Sequence, residues 1–441
     1  MNKFFQFEKY NTSSRTEIIA GFSSFLATMY IIVVNPAILS QSGMPFNAVL
    51  TATVSLAFIC TLVMGLYAKN PILVAPGMGM NAFFTFSVVL GMGVKWQTAL
   101  GAVFWSGIIF ILLSVFNIRN HIVNAIPKQL RYAISAGIGL FITLIGFINA
   151  KFVISNPATV IGIAPFSPIL ITFLLGLFLT TILIVKRVKA GIILGIAITT
   201  LLSIPIGRIW GDASAVNFGK STLVNWQGMW ASPDFSLFFQ ADFAGALRFS
   251  LLPVMFAFVF TDMFDSLSTF VGVAEAAELH DENGEPRNLK KSLLTDAIAT
   301  TLAGLFGTSP GTAYIESAVG IEQGGRTGLT AVVAAFLFLP FMFLSPLLSI
   351  IPAIATAPAL ILVGVFMMKP VIKINWSEMD DAIPAFLAMV LIPFSYSITQ
   401  GIIWGFLSWT IVKTILGKSE EVPVSLWVVD VFILISLFLG H

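Results

Sequence analysis

Apolar runs of about twenty residues, separated by short polar turns, follow one another from Thr16 to the end of the chain. A helix of that length crosses roughly 30 Å of hydrocarbon, so the pattern predicts an all-α, polytopic membrane protein. The first half carries runs at 16–40, 45–68, a Gly/Pro-broken stretch at 71–90, then 98–116, 129–149, 166–186 and 190–207. The second half carries 246–274, 290–307, a broken stretch at 310–323, then 327–350, 354–370, 381–397 and 399–416. Seven runs follow seven. An apolar tail, 424–439, is left over; it contains Asp430 and reads as a short re-entrant or interfacial segment.

Positively charged loops stay cytoplasmic, and this orients the chain. With Lys3, Lys9 and Arg15 inside, the turns on the same side carry Lys69, Arg119, Lys128, Arg131, Lys186, Arg187 and Lys189, then Arg287, Lys290, Lys291, Arg326, Lys369, Lys373, Lys413 and Lys418. The opposite loops carry chiefly Lys95, Lys151, Arg208 and Lys220. Fourteen crossings satisfy this bias and leave both termini cytoplasmic. Because seven is odd, a second copy of a seven-span unit enters the membrane inverted. A faint internal echo agrees: QTALGAV (97–103) returns as RTGLTAV (326–332) at an offset of 229, and Pro76-Gly77 returns as Pro310-Gly311 at 234. Corresponding Gly/Pro-interrupted spans in two halves are the pattern of a secondary transporter's binding site.

Composition narrows the function. The chain of 441 residues is 57% hydrophobic and 10% charged, and its longest polar stretches, about 208–246 and 275–291, are too short for a soluble catalytic domain. Function therefore lies within the membrane part. A net charge of +2 without a basic cluster gives no reason to expect nucleic acid. The single Cys60 excludes a disulfide framework within one chain, and His121, His280 and His441 are too scattered for a metal or haem site. The N-terminal segment has no small-residue cleavage site, so no removable signal peptide is expected.

Against this background, carboxylates inside apolar runs stand out. Asp262 and Asp265 lie in LLPVMFAFVFTDMFDSLSTFVGVA (251–274), and Glu316 lies in GTSPGTAYIESAVG (307–320). An ionised group at mid-bilayer costs about 2.5–3.5 kcal/mol on insertion scales, so these acids are expected to face a polar cavity. Asp262, Asp265, Ser266 and Thr269 follow i, i+3, i+4, i+7 and share one helical stripe. No Lys or Arg lies within the span centres, and a carboxyl in low dielectric without a cation suits a group that gains and loses a proton near neutral pH. In the broken run at 70–93, Pro76, Gly77 and Gly79 predict an extended entry and a half-helix starting near Met80 or Asn81. Asn81 then caps that helix or meets a ligand, beside Phe83 and Phe84. After the second Pro-Gly break, Thr312, Tyr314 and Glu316 open another half-helix, with Glu316 in the first turn where the dipole favours negative charge. EQGGRTGLT (322–330) reads as a tight turn and helix start, because it lacks the Lys-Ser/Thr ending of a phosphate loop.

At these residues the chain resembles the AzgA-like adenine/guanine/hypoxanthine permeases of the nucleobase–cation symporter-2 (xanthine/uracil permease) superfamily. The matching segments are NPAIL (35–39), APGMGMNAFF (75–84), ALGAVFWSG (99–107), IPKQLRYAISAGIGLFITLIG (126–146), FTDMFDSLSTFVG (260–272), TDAIATTLAGLFGTSPGTAYIESAVGI (295–321) and GGRTGLTA (324–331). The similarity runs from about Glu17 to Lys373 and fades over the last spans. It implies two inverted seven-span repeats, with a short strand and a half-helix in spans 3 and 10. A core domain (16–116 and 246–350) and a gate domain (121–207 and 354–441, with the tail) are implied as well. The resemblance makes Asn81 the span-three asparagine, with Gly79 beside it, Asp262 and Asp265 the span-eight acids, and Glu316 the span-ten acid. Where more distant uracil permeases have a histidine one turn after the first acid, this chain has Ser266, so a proton route through that histidine does not carry over.

The implied function is proton-coupled symport of a purine base (hypoxanthine, guanine or adenine) across the cell inner membrane by alternating access. A purine is flat, apolar on its faces and rimmed with donors and acceptors, which calls for stacking surfaces, carboxylates and backbone N–H groups together. Substrate contacts are therefore expected from Asn81, Phe83, Asp262, Tyr314 and Glu316, with proton coupling or support from Asp265, Ser266, Gly79 and Thr312. The expected partners are the base, protons and the lipid bilayer, with a homodimer left open and no nucleic acid, cofactor or metal. An intramembrane aspartyl protease would need its two aspartates on separate helices, and no Gly-x-Gly-Asp motif occurs. A channel differs from a carrier by unsaturable, downhill flux.

Overall fold

The computed structural model of the protein describes residues 2–116, 127–209, 228–277, 279–280 and 286–438. Arg119, His121, Lys220 and His441, which entered the sequence reading, lie outside the described residues, as do parts of the polar stretches 208–246 and 275–291. Every predicted apolar run coincides with an element. Span 1 is two helices, Ser14–Thr28 and Ile31–Leu39. Span 2 is Phe46–Val63, and span 4 is Trp96–Val115. Spans 5, 6 and 7 are Lys128–Asn149, Pro168–Val185 and Gly191–Ile209. In the second half, spans 8 and 9 are Leu252–Ala277 and Leu289–Phe306, and span 11 is Gly328–Phe338. Spans 12, 13 and 14 are Ala353–Met367, Met379–Ser395 and Ile398–Ile415.

Spans 3 and 10 are the broken ones. Span 3 enters as strand β1 (Val74–Pro76), turns helical at Met78–Ala82 and continues through wider π-type turns, Phe83–Gly91. Span 10 enters as strand β4 (Gly311–Ala313) and turns helical through Ile315–Ser317 into Ala318–Glu322. One hairpin was not anticipated: β2 (Val153–Asn156) pairs antiparallel with β3 (Val160–Ile163) between spans 5 and 6. The apolar tail is a regular helix, Val424–Phe438, laid along span 14, where the Thr410 hydroxyl donates to Asp430. Tail, span 14 and the start of span 8 wall an apolar cavity of about 250 Å³, lined by Phe256, Ile402, Ile403, Val429 and Ile433 among others.

Spans 1, 2, 4, 8, 9 and 11 pack mainly on one another, and spans 5, 6, 7, 12, 13 and 14 form a second group. Lipid tails are as apolar as the helices, so close backbone approach through small residues must do much of the packing. Spans 5 and 12 show it. A Cβ on Gly139 would lie 2.7 Å from the Gly364 carbonyl oxygen, and one on Gly364 2.5 Å from that of Gly139. The segment 322–330 turns tightly, with Gly324 at φ +94°. Span 11 then starts under the buried Glu17 carboxylate, which accepts from the backbone N–H groups of Arg326, Thr327 and Thr330 at 2.9, 3.3 and 3.3 Å.

Candidate functional site

The site is built where the two broken spans meet. β1 and β4 pair antiparallel with Val74 opposite Ala313, Ala75 opposite Thr312 and Pro76 opposite Gly311. The ladder is extended by Tyr314 N–H to the Leu73 carbonyl and by Gly77 N–H to the Pro310 carbonyl, both 2.9 Å. Pro76 costs the ladder one donor, and the chain leaves the strand there to start a helix. The antiparallel pairing sends the two half-helices away in opposite directions, so their N-terminal ends, with unsatisfied N–H groups, come together at the strands.

Span 8 crosses behind this junction. Ser266 Oγ accepts from the Ala313 N–H at 3.1 Å and shares a hydrogen bond with the Thr312 hydroxyl at 2.8 Å. Asp265, one residue before, is partly exposed and close enough to Glu316 for the two charges to act on each other. Asp262, one turn earlier, is sealed from solvent. Its Oδ2 receives the Thr300 hydroxyl, which also lies 3.0 Å from the Gly311 carbonyl, while Oδ1 has no partner among the described residues.

Glu316 sits partly open at the start of the span 10 half-helix, and its Oε1 accepts from the Tyr30 hydroxyl of span 1 at 2.7 Å. Tyr314 is buried, with its hydroxyl donated to the Pro76 carbonyl. Phe83 is buried edge-to-face against Phe258 of span 8, ring centroids 5.0 Å apart. Asn81 is fully buried and faces span 1: its amide donates to Asn35 Oδ1 at 3.2 Å, and Asn35 in turn donates to Thr53 at 2.7 Å and Thr308 at 2.8 Å. Gly79 lets the half-helix touch span 5, since a Cβ there would lie 2.6 Å from Ile138 Cγ2.

Sequence reasoning passed over three residues that the fold brings here. Asp296 of span 9 is fully buried beside Ser266 and the Ala313 backbone, its carboxylate acts on Asp262, and neither of its oxygens has a hydrogen-bond partner among the described residues. The signal was present, because a carboxylate in the apolar run 290–307 meets the criterion that singled out Asp262. Asn35 lies in the NPAIL segment, but nothing marked it as the partner of Asn81. Tyr30 carried no signal at all. The arrangement is thus two open carboxylates, Asp265 and Glu316, in front of two sealed ones, Asp262 and Asp296. Among the described residues, the ion pairs all lie elsewhere, at Lys413 and Lys418.

The chain is similar to known permeases along its length. The model of the permease family Xan_ur_permease matches residues 15–404. Adenine permease AdeP of Escherichia coli K12 is 39% identical, over 100% of this chain and 96% of its own. Guanine/hypoxanthine permease PbuO of Bacillus subtilis 168 is 40% identical, over 99% of this chain and 100% of its own. Among solved structures, the transmembrane domain of the cyanobacterial bicarbonate transporter BicA superposes with a TM-score of 0.65 at 18% identity, covering 88% of this chain and 97% of that one. SLC26A9 superposes with a TM-score of 0.65 at 10% identity, covering 93% of this chain and 66% of that one. These two carry the fold alone, an inverted-repeat membrane architecture. A broken-span carboxylate site inside that fold, with full-length similarity to permeases, makes this chain a member of the Xan_ur_permease family in its AzgA-like branch, a multi-pass membrane transporter and not an enzyme.

Proposed function

We propose that the protein imports purine nucleobases with protons by alternating access. The observation that carries this is the two-layer carboxylate site at the paired strands, which has acceptors open to a ligand in front and uncompensated acids behind. Relatives at 39–41% identity are named for adenine and for guanine and hypoxanthine, which supports the purine class. Glu316 and Asp265 take the ring N–H groups of the base, and the backbone N–H groups at the half-helix starts take its acceptors. Tyr314 and Phe83 wall the site rather than offer free polar groups.

The proton belongs to the sealed pair. The Thr300 hydroxyl has one hydrogen and two acceptors in reach, Asp262 Oδ2 and the Gly311 carbonyl. The chain closes when the Asp262 carboxyl carries a proton and donates to Thr300, which donates to Gly311. Asp296 beside it gives a second carboxyl, and two uncompensated charges in a dry core are far costlier than one shared proton. This division reverses the roles expected from the sequence, with Asp265 toward the base and Asp262 toward the proton. Spans 1–4 and 8–11 form the core domain that carries the site. Spans 5–7 and 12–14, which meet it at Gly79 and Ile138, form the gate. The inner membrane, with both termini cytoplasmic, is the setting that the Lys and Arg placement supports.

Uptake of labelled hypoxanthine and adenine into vesicles, each competed by unlabelled bases, tests the substrate. Uptake should saturate, run uphill, rise as external pH falls, collapse with a protonophore and ignore replacement of Na⁺ by K⁺. Strict Na⁺ dependence without a protonophore effect overturns the proton assignment and leaves the purine site standing. Unsaturable, downhill flux overturns the carrier.

A further inference from the structure

We propose that Tyr30 is a positioning residue for Glu316, whose carboxyl group it fixes by one oxygen so that the other is turned to the site. This rests on the reading of Glu316 as a base-contacting group. Span 1 tightens at Tyr30 without leaving the helical path: Ile32 N–H bonds the Met29 carbonyl and Val33 N–H the Tyr30 carbonyl, both at 3.1 Å, while Val34 N–H keeps the α-helical bond to the Tyr30 carbonyl at 3.0 Å. The phenol, which is 1% exposed, reaches across to span 10. There its hydroxyl donates to Glu316 Oε1 at 2.7 Å. The same span makes a second link to the next residue, from the Ser24 hydroxyl to the Ser317 carbonyl at 3.3 Å. Glu316 is thereby fixed from outside its own half-helix.

The consequence is chemical as well as geometric. A donor on Oε1 favours the ionised form and leaves Oε2 as the acceptor for a ring N–H of the base. The other groups acting on this carboxylate are Asp265 from span 8, Tyr314 from the β4 end and, at longer range, Lys369 beyond span 12. The Tyr314 hydroxyl is already committed to Pro76, so among the described residues Tyr30 is the side-chain donor to Glu316.

Tyr30→Phe keeps the ring and removes one oxygen, so it isolates the contact. Equilibrium binding of labelled base per folded molecule should weaken about tenfold, the size of a hydrogen bond to a charged group. In ligand-free protein, the infrared carboxyl band that is present in wild type and absent in Glu316→Gln should titrate about one pH unit higher in Tyr30→Phe. Unchanged affinity with an unmoved band overturns the proposal, and so does a lower yield with both unmoved, which would make Tyr30 a packing residue. If the wild-type protein binds no purine, the transport reading fails. The infrared band still decides Tyr30: a shift upholds its hold on Glu316, and no shift removes it.

Discussion

Among the described residues, two acidic clusters at helix positions are built in opposite ways. At the ends of spans 13 and 14, the buried Lys413 ammonium lies 2.9 Å from Asp380, 2.8 Å from Asp381 and 2.7 Å from Glu421, and Lys418 adds a 2.7 Å contact to Asp380. At the strand junction, Asp262, Asp265, Asp296 and Glu316 have no ion-pair partner among the described residues. The first cluster gives each of its acids an ammonium partner and holds the two helices together. The second leaves carboxyl oxygens unpaired in a low-dielectric interior, a state that costs free energy unless a ligand or a proton completes it. Burial alone therefore does not distinguish the two clusters; the absence of a charged partner does.

That contrast can be broken by substitution, and the largest effect is expected at the open pair. Glu316→Gln should nearly abolish base uptake at normal membrane level, because the amide replaces an acceptor oxygen with a donor and removes the negative charge that receives the ring N–H; wild-type uptake by this variant would remove Glu316 from the site. Next come the sealed acids. Asp262→Asn and Asp296→Asn should each lose uphill accumulation and its response to external pH, while equilibrium binding of the base changes by about twofold or less, the usual reach of a change beyond direct contact. Asp265→Asn should do the reverse and lose binding first, so equal loss of binding in all three would end the division into two layers.

A smaller effect is expected at Asn81, where Ala should cut the transport rate severalfold through the loosened start of the span 3 half-helix, since the bond to Asn35 goes with it. If Asn81→Ala instead inserts poorly but transports normally per molecule, the residue serves only the packing of the half-helix, which starts at Met78 after Gly77, against span 1. Smallest in transport is Lys413→Met, which strands Asp381 and leaves Asp380 to Lys418 alone. It should lower the melting temperature in detergent and leave base affinity and the pH profile unchanged. A changed pH profile would join the two clusters into one proton path.

Much of this protein was legible in its sequence, and the reason is the bilayer. Twenty apolar residues between polar turns admit one spanning solution, a helix, because a backbone in hydrocarbon must satisfy its own hydrogen bonds. The breaks at Pro76-Gly77 and Pro310-Gly311 were equally plain, since proline removes a donor and glycine loosens the helix. The fourteen spans, the inversion and the acids at 262, 265 and 316 followed from one-dimensional patterns. The periodicity of span 8 put Asp262 and Asp265 on one stripe, but a stripe does not say which end is open. Only the tertiary structure decided that Asp262 backs onto Thr300 and Asp296 while Asp265 faces Glu316. The same holds for Asn81, whose bond to Asn35 spans 46 positions, and for Tyr30 and Glu316, which are 286 apart. Local backbone chemistry writes itself into neighbouring residues, so the sequence carries it. Which polar groups share a partner depends on how separate helices pack, and in this chain that is set by distant glycines and side-chain volumes.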